Sequence, residues 1–212
     1  LVEEKAPHEQ AAAAKAFAAA YVRRLADTSG VSPEHLAAEV LGAFAFAADR
    51  GRQPVAVRAF NPTLARDGYE PLGSVLETNS DDWPFLVDSV SAALEQRGER
   101  VARLVHPIFG VSREEGRIDQ VTGARNALRR ESLMHFDLAR RLGDAELSEL
   151  ADAVRRVLSA VRNTVNDFGA MTQRVESMIG VARRGSARYD SDEVREAVDF
   201  LARLLRGNFV LL

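Results

Sequence analysis

The chain has 212 residues, no cysteine, and 28 basic against 31 acidic side chains, for a formal net charge of -3. That near-balance argues against a broad electrostatic grip on nucleic acid or an anionic membrane, and the lack of cysteine excludes disulfides and thiolate metal sites. An apolar share of 46% suits an ordinary globular core, and no apolar run approaches the roughly 18 residues of a membrane span.

The chain opens on Leu1, and "AAAAKAFAAAYVRRL" is interrupted by Lys15 with no basic leader before it, so it reads as a helix rather than a signal peptide. Alanine-rich propensity predicts that helix over His8 to Ala26, with Phe17, Tyr21, Val22 and Leu25 as its stripe. After "DTSGVS", Ser32 is the expected N-cap of a second helix, with Pro33 at its first position and Leu36, Val40, Leu41 and Phe44 on its buried face. The period then changes to two. "VAVRAF" alternates as a strand, "NPTLARDGYEPLG" is a turn-rich connection, and Ser74 to Asn79 is the next strand.

A helix is expected from Pro84, with Asp81 or Asp82 as cap, Trp83 and Phe85 stapling the turn, and Gly98 ending it. Val101 to Ser112 reads as one long strand, "REEGR" as a turn and "IDQV" as a short strand. In "ESLMHFDL", Met134, Phe136 and Leu138 face one way, and Leu133, His135 and Asp137 the other. The last third is helical. One helix runs from a capping Asp144 to about Phe168, a second spans Met171 to Val181, and a third is capped by Ser191 or Asp192. "NFVLL" ends the sequence as the start of a strand, and both ends read as cuts in a longer chain.

This order of elements is α+β, an antiparallel sheet covered on one face, and its centre suits a ferredoxin-like βαββαβ unit. The expected partition is a helical segment over 1–52, a sheet domain over 53–142, a helical segment over 143–207 that completes or flanks it, and a strand start at 208–212.

Chemistry is sparse. Gly110, Gly116, Gly123, Gly180 and Gly185 are isolated turn glycines, so no dinucleotide loop is expected. His8, His35, His106 and His135 lack metal-ligand spacing, and no metal is expected. His106 and His135 fall on strands and suit adjacent positions. Asp137 shares a sheet face with His135, a pair that a small hydrolase would need beside a nucleophile, but no serine lies in a nucleophile elbow. The remaining concentration is "TNSDDWPFLVDS", which is either a capped helix start or a turn whose free backbone N–H groups hold a ligand.

The stretch "NSDDWPFLVDSVSAALEQRG", followed by "HPIFGV" and "RRESLMHFDL", resembles the N-terminal region of the large bacterial NAD-specific glutamate dehydrogenases. "AFAFAADRGRQPVAVRAFNP", "VRNTVNDFGAM" and "EAVDFLARLLRGNFVLL" follow the same family pattern in order. The resemblance implies an ACT-type regulatory domain, non-catalytic, with no cofactor of its own. Its cytoplasmic, homo-oligomeric parent would oxidise glutamate to 2-oxoglutarate and ammonia with NAD.

The implied partners are other domains of the same chain, sister subunits and an amino-acid effector. Asn79, Asp81, Asp82, Trp83 and Phe85 would form the effector turn. Against the ACT pattern D-x-P-G-(L/I)-(L/I/V), Asp82, Pro84, Leu86 and Val87 agree, and Phe85 replaces the glycine. The alternative is a free-standing α+β interaction or sensing module.

Overall fold

The computed structural model of the chain describes residues 1–25, 31–185 and 188–208. Residues 1–159 form one compact unit and 160–212 a second, so the division falls inside a helix rather than at 52 or 142.

The first unit begins with helices α1 (Val2–Lys5), α2 (Ala11–Val22) and α3 (Pro33–Asp49). α3 starts as its sequence dictates: Ser32 Oγ accepts from the His35 N–H at 3.1 Å, with Pro33 at the first position. Ala26, the expected end of α2, lies outside the described residues. Strand β1 (Val55–Phe60) follows, and the turn-rich connection contains one short helix, α4 (Leu64–Asp67). Then come β2 (Val75–Asp81), α5 (Leu86–Gln96), β3 (Val101–Val105), β4 (Ile108–Glu114), β5 (Arg117–Gly123), β6 (Arg130–Leu138) and the long helix α6 (Asp144–Gly185).

β3 and β4 are the two halves of the single strand expected over Val101 to Ser112. The chain breaks at His106–Pro107, since proline gives no N–H to a ladder. β4 and β5 form a hairpin across Glu115 and Gly116, whose φ values of 50° and 91° suit the mirror-image two-residue turn that matches strand twist.

All pairings are antiparallel, in the order β1-β2-β6-β4-β5, with β3 beside the other half of β6. The α+β, ferredoxin-like reading therefore holds, with one rearrangement. β2, α5, β3/β4, β6 and α6 supply the central βαββα run. The closing strand's place beside β2 is taken by β1, which comes earlier in the chain.

The sheet is covered on both faces, not one. In the β2–β6 register, Glu77, Asn79 and Asp81 share a face with Glu131, Leu133, His135 and Asp137. Leu76, Thr78 and Ser80 share the opposite face with Ser132, Met134, Phe136 and Leu138. Both sets are buried apart from the partly exposed Asp81. α2 and α3 cover the first face, where Phe17, Tyr21, Val40 and Phe44 form one apolar cluster with Val105, Phe109, Val121 and Leu133. Phe17 sits edge-on to Phe109, with ring centroids 5.1 Å apart. The apolar second face answers the buried stripes of α5 (Leu86, Val90, Leu94) and early α6 (Leu150, Val154, Leu158). Burying a sheet on both sides requires each face to satisfy its polar groups internally, and the face under α2 and α3 is rich in charge.

α6 is one helix of 42 residues, with no break between the two expected here. Gly169 lies inside it, because glycine weakens a helix by only about 1 kcal/mol. Asp144 is its first residue rather than its cap. The Gly143 N–H is held instead by Glu146 Oε2 at 2.8 Å, a side chain reaching back from the first turn.

In the second unit, α7 (Ser191–Arg203) is capped by Asp190, which accepts from the N–H groups of Asp192 and Glu193, one residue before Ser191 and two before Asp192, the expected caps. Of the strand start expected at 208–212, Asn208 instead ends a π-helical turn, Leu204–Asn208, and residues 209–212 lie outside the described residues.

Candidate functional site

The expected effector turn joins β2 to α5, but not as a capped helix start. Asp81 is the last residue of β2, and its Oδ1 meets Arg50 Nη2 at 3.1 Å and Arg129 Nη2 at 3.0 Å. Partial burial opposes its charge, but the bonds from Arg129 and Arg50 outweigh this and hold its carboxyl below the usual range. Asp82 pairs with Arg130 Nε at 3.2 Å, and its N–H donates to the Arg130 carbonyl. Both acids therefore tie the turn to the start of β6.

α5 begins only at Leu86, and its N-cap is Phe85, without a side-chain cap bond. Phe85 has φ 67° and ψ 7°, the values of the third residue of a type II turn, whose second place suits Pro84. Glycine is favoured there because a Cβ costs about 1–2 kcal/mol in the left-handed region. Phe85 keeps the backbone shape and sends a half-exposed ring outward. Trp83 beside it is partly exposed. Asn79 lies elsewhere: it is fully buried on the α2–α3 face, its Nδ2 donating to the Ser132 carbonyl, while its Oδ1 and the buried Nε of Arg50 have no protein partner among the described residues.

Two ion networks mate α2 and α3 to the sheet. In the first, Glu131 at the start of β6 holds both Arg50 and Arg113, and is fully buried. Arg113 Nη2 donates to the Ala47 carbonyl at 2.7 Å, placing a cation at the C-terminal end of α3, where the helix dipole favours one.

The second network runs through Tyr21, Glu39, Arg103, Asp137, His135, Glu77 and Arg58. Tyr21 Oη donates to Glu39 Oε1 at 2.8 Å, and Arg103 bridges Glu39 Oε2 at 2.6 Å and Asp137 Oδ2 at 2.5 Å. His135 Nδ1 lies 2.8 Å from Glu77 Oε1 and Nε2 lies 3.2 Å from Asp137 Oδ1. Arg58 reaches Glu77 Oε2 at 2.6 Å and the Gly42 carbonyl at 3.0 Å, its guanidinium stacked on Phe46 and Phe60.

Burial opposes the His135 cation. Its hydrogen bonds to Asp137 and Glu77, with the charges of Glu77 and Glu39, outweigh that and push its pKa up to about 10. Burial likewise opposes the Glu77 anion, and its bond to His135 prevails, lowering its pKa. Both His135 ring nitrogens face carboxylates, so neither is left to accept a proton. The His135–Asp137 pairing expected from their spacing is real, but it lies buried and neutralised. His106 is not its neighbour across the face: His106 Nε2 meets Ser132 Oγ at 2.8 Å, and Ser132 belongs to the other face of β6. No group of three His, Asp or Glu side chains that could hold a metal occurs among the described residues.

At the Arg103 end this network opens into a cleft of about 310 Å³ between the start of α3, the Tyr69 loop and the end of β6. Sequence reasoning passed over Glu39, Arg50, Glu77, Arg103, Arg113 and Glu131. The available signal was charge at inward strand positions, as in "SVLETN" and "RRESLMHFDL".

The sequence profile of the glutamate dehydrogenase ACT1 domain matches residues 17–154, from α2 through the sheet to the first turns of α6. The chain belongs to this family. Three similar proteins are each named an NAD-specific glutamate dehydrogenase. That of Halomonas elongata is 34% identical over 163 residues, covering 74% of this chain. That of Pseudomonas aeruginosa is 29% identical over 160 residues, also 74% of the chain. That of Mycobacterium tuberculosis is 25% identical over 167 residues, 76% of the chain. The chain spans 10% of the length of each relative. The matched ACT1 stretch begins at Phe17, so it takes in the second half of α2 and all of α3 together with the sheet, in agreement with the ionic contacts that join them.

Proposed function

We propose that this ACT1 domain is a non-catalytic regulatory and assembly part of an NAD-specific glutamate dehydrogenase. The parent would convert glutamate and NAD to 2-oxoglutarate, ammonia and NADH in the cytoplasm as a homo-oligomer, with NAD held elsewhere in its chain. The observation that carries this reading is the family match across the folded unit, joined to a polar interior in which the described acids, bases and His135 pair with one another.

The turn of Asp81, Asp82, Trp83 and Phe85 serves contact with another domain or a sister subunit. Three features support contact over an amino-acid effector there. Phe85 occupies the left-handed position where glycine would let a ligand approach the backbone, its ring points outward, and both acids are already paired. The test replaces Trp83 and Phe85 together by alanine in the full-length parent and measures sedimentation. A loss of assembled mass, or a looser assembly at low concentration, is expected. Unchanged sedimentation, together with calorimetric binding of an amino acid that the double variant abolishes, would return the turn to the effector role.

A further inference from the structure

We propose that the cleft at the start of α3 binds a small organic carboxylate, anchored on Arg103. Its polar walls are Ser32, His35, Glu39, Tyr69, Glu70, Arg103 and Asp137, and its volume, about 310 Å³, suits a small metabolite. It lies at the far end of β2 from the Trp83–Phe85 turn. Asp137 pairs with Val75 in the register, whereas the turn begins at Asp81, six residues or about 20 Å along the strand. The site is therefore separate from the contact surface proposed above and stands or falls without it.

Donors and acceptors around the cleft are unevenly used. Both carboxylates on its floor are spent: Glu39 takes Tyr21 Oη and Arg103 Nη2, and Asp137 takes His135 Nε2 and Arg103 Nε. The donors are not. Arg103 Nη1 has no partner among the described residues, and the Tyr69 hydroxyl donates to none of them. Ser32 Oγ accepts from the His35 N–H, which leaves its own proton to give, and the His35 ring is exposed at the mouth. A guest that accepts several hydrogen bonds and donates few completes this set, and a carboxylate accepts up to four. Arg103 offers the planar fork that such a group matches.

Charge permits the guest. Behind the cleft, the anions Glu39, Asp137 and Glu77 are matched by the cations Arg103, His135 and Arg58. At the rim, Glu70 faces Arg141 at 3.5 Å. The lining alone carries three carboxylates against one guanidinium; with Glu77, His135, Arg58 and Arg141 behind and beside it the charges balance, and an entering carboxylate meets the open edge of Arg103. Because Arg103 also holds α3 to β6, occupancy of the cleft would tighten the joint between the helix pair and the sheet, which gives the domain a means of responding to a metabolite.

The test is calorimetric titration of the 212-residue chain with propionate, glutarate and L-glutamate, with glutaramide as the uncharged control. Saturable binding of at least one carboxylate is expected, about tenfold or more tighter than glutaramide. Tyr69→Phe and His35→Ala, which leave the Arg103 bridge intact, should each weaken it by about threefold to tenfold, and Arg103→Lys should weaken it further. No saturation with any carboxylate would overturn the assignment, as would equal binding of glutaramide or affinity unchanged in both Tyr69→Phe and His35→Ala. Binding abolished by Trp83→Ala but not by Tyr69→Phe would place the ligand at the turn and equally overturn it.

Discussion

The His135 imidazole lies 2.8 Å from the Glu77 carboxylate on the neighbouring strand, directly opposite in register, and neither side chain reaches water. Such a pair needs all of its partners. Taking one ion out leaves the others desolvated and unmatched, which costs more than the pair itself contributes. His135→Ala should therefore lower unfolding free energy by about 3–5 kcal/mol in urea titration. A loss under about 1 kcal/mol would mean that the neighbouring charges do not depend on the imidazolium.

Stability should be bounded by pH on both sides. The folded pKa of His135 is raised, so its contribution is complete below the unfolded value near 6.5 and is lost as pH rises toward about 10. The folded pKa values of Glu77 and Asp137 are lowered, so their contributions are complete above the unfolded carboxylate range and are lost as pH falls below it. Urea midpoints measured from about pH 3 to 10 should trace a plateau between about pH 5 and 6.5, with a fall on each side. In His135→Gln the alkaline fall should shrink.

Phe85 holds a backbone shape that glycine adopts freely, while its ring is half exposed and has little packing to lose. Phe85→Gly should leave the isolated chain as stable as the parent sequence or stabilise it by up to about 1 kcal/mol, as relief of the left-handed strain outweighs glycine's extra freedom when unfolded. Thermal unfolding checks this. A clear destabilisation would show that the ring packs within the domain rather than facing a partner.

Gly73 precedes β2 where the chain crosses the end of β6. A Cβ there would lie 1.9 Å from the Leu138 carbonyl oxygen and 2.9 Å from that of Arg140. Both neighbours are backbone, so neither can swing away. Gly73→Ala should destabilise by about 1–3 kcal/mol or more, with amide exchange rising first at the Ser74–Leu138 and Ser74–Arg140 bonds that close this end of the sheet. Protection at Leu138 unchanged from the parent would contradict the close approach.

What was readable from the sequence, and what was not, follows the range of each interaction. β1, the cap of α3, the Gly98 terminus and the alternation of β6 depend on neighbouring residues, and each lies where local pattern puts it. The Gly98 and Glu99 N–H groups close onto Glu95 and Leu94 as a glycine-ended helix requires. By contrast, the fate of Asp81 depended on Arg50 and Arg129, 31 and 48 residues away. Local pattern shows only two acids before a helix, which suits either a cap or a ligand-holding turn. The second covered face was hidden for a similar reason: β6 presents apolar residues one way and Leu133, His135 and Asp137 the other, and only α2 and α3 turn the polar side into an interior. The Arg103 cleft joins four segments that are distant in sequence, so no local motif announces it.

Under the function proposed above, this chain governs assembly or regulation of a dehydrogenase and carries none of its chemistry. The direct measurement compares the full-length parent with a version lacking these 212 residues, following NADH formation from glutamate and assembled mass by sedimentation, with the isolated chain assayed alongside. The expected result is that the shortened enzyme still forms NADH but with altered assembly or altered response to substrate, while the isolated chain forms none. A shortened enzyme with unchanged mass and unchanged kinetics, or NADH formation by the isolated chain, would contradict the claim.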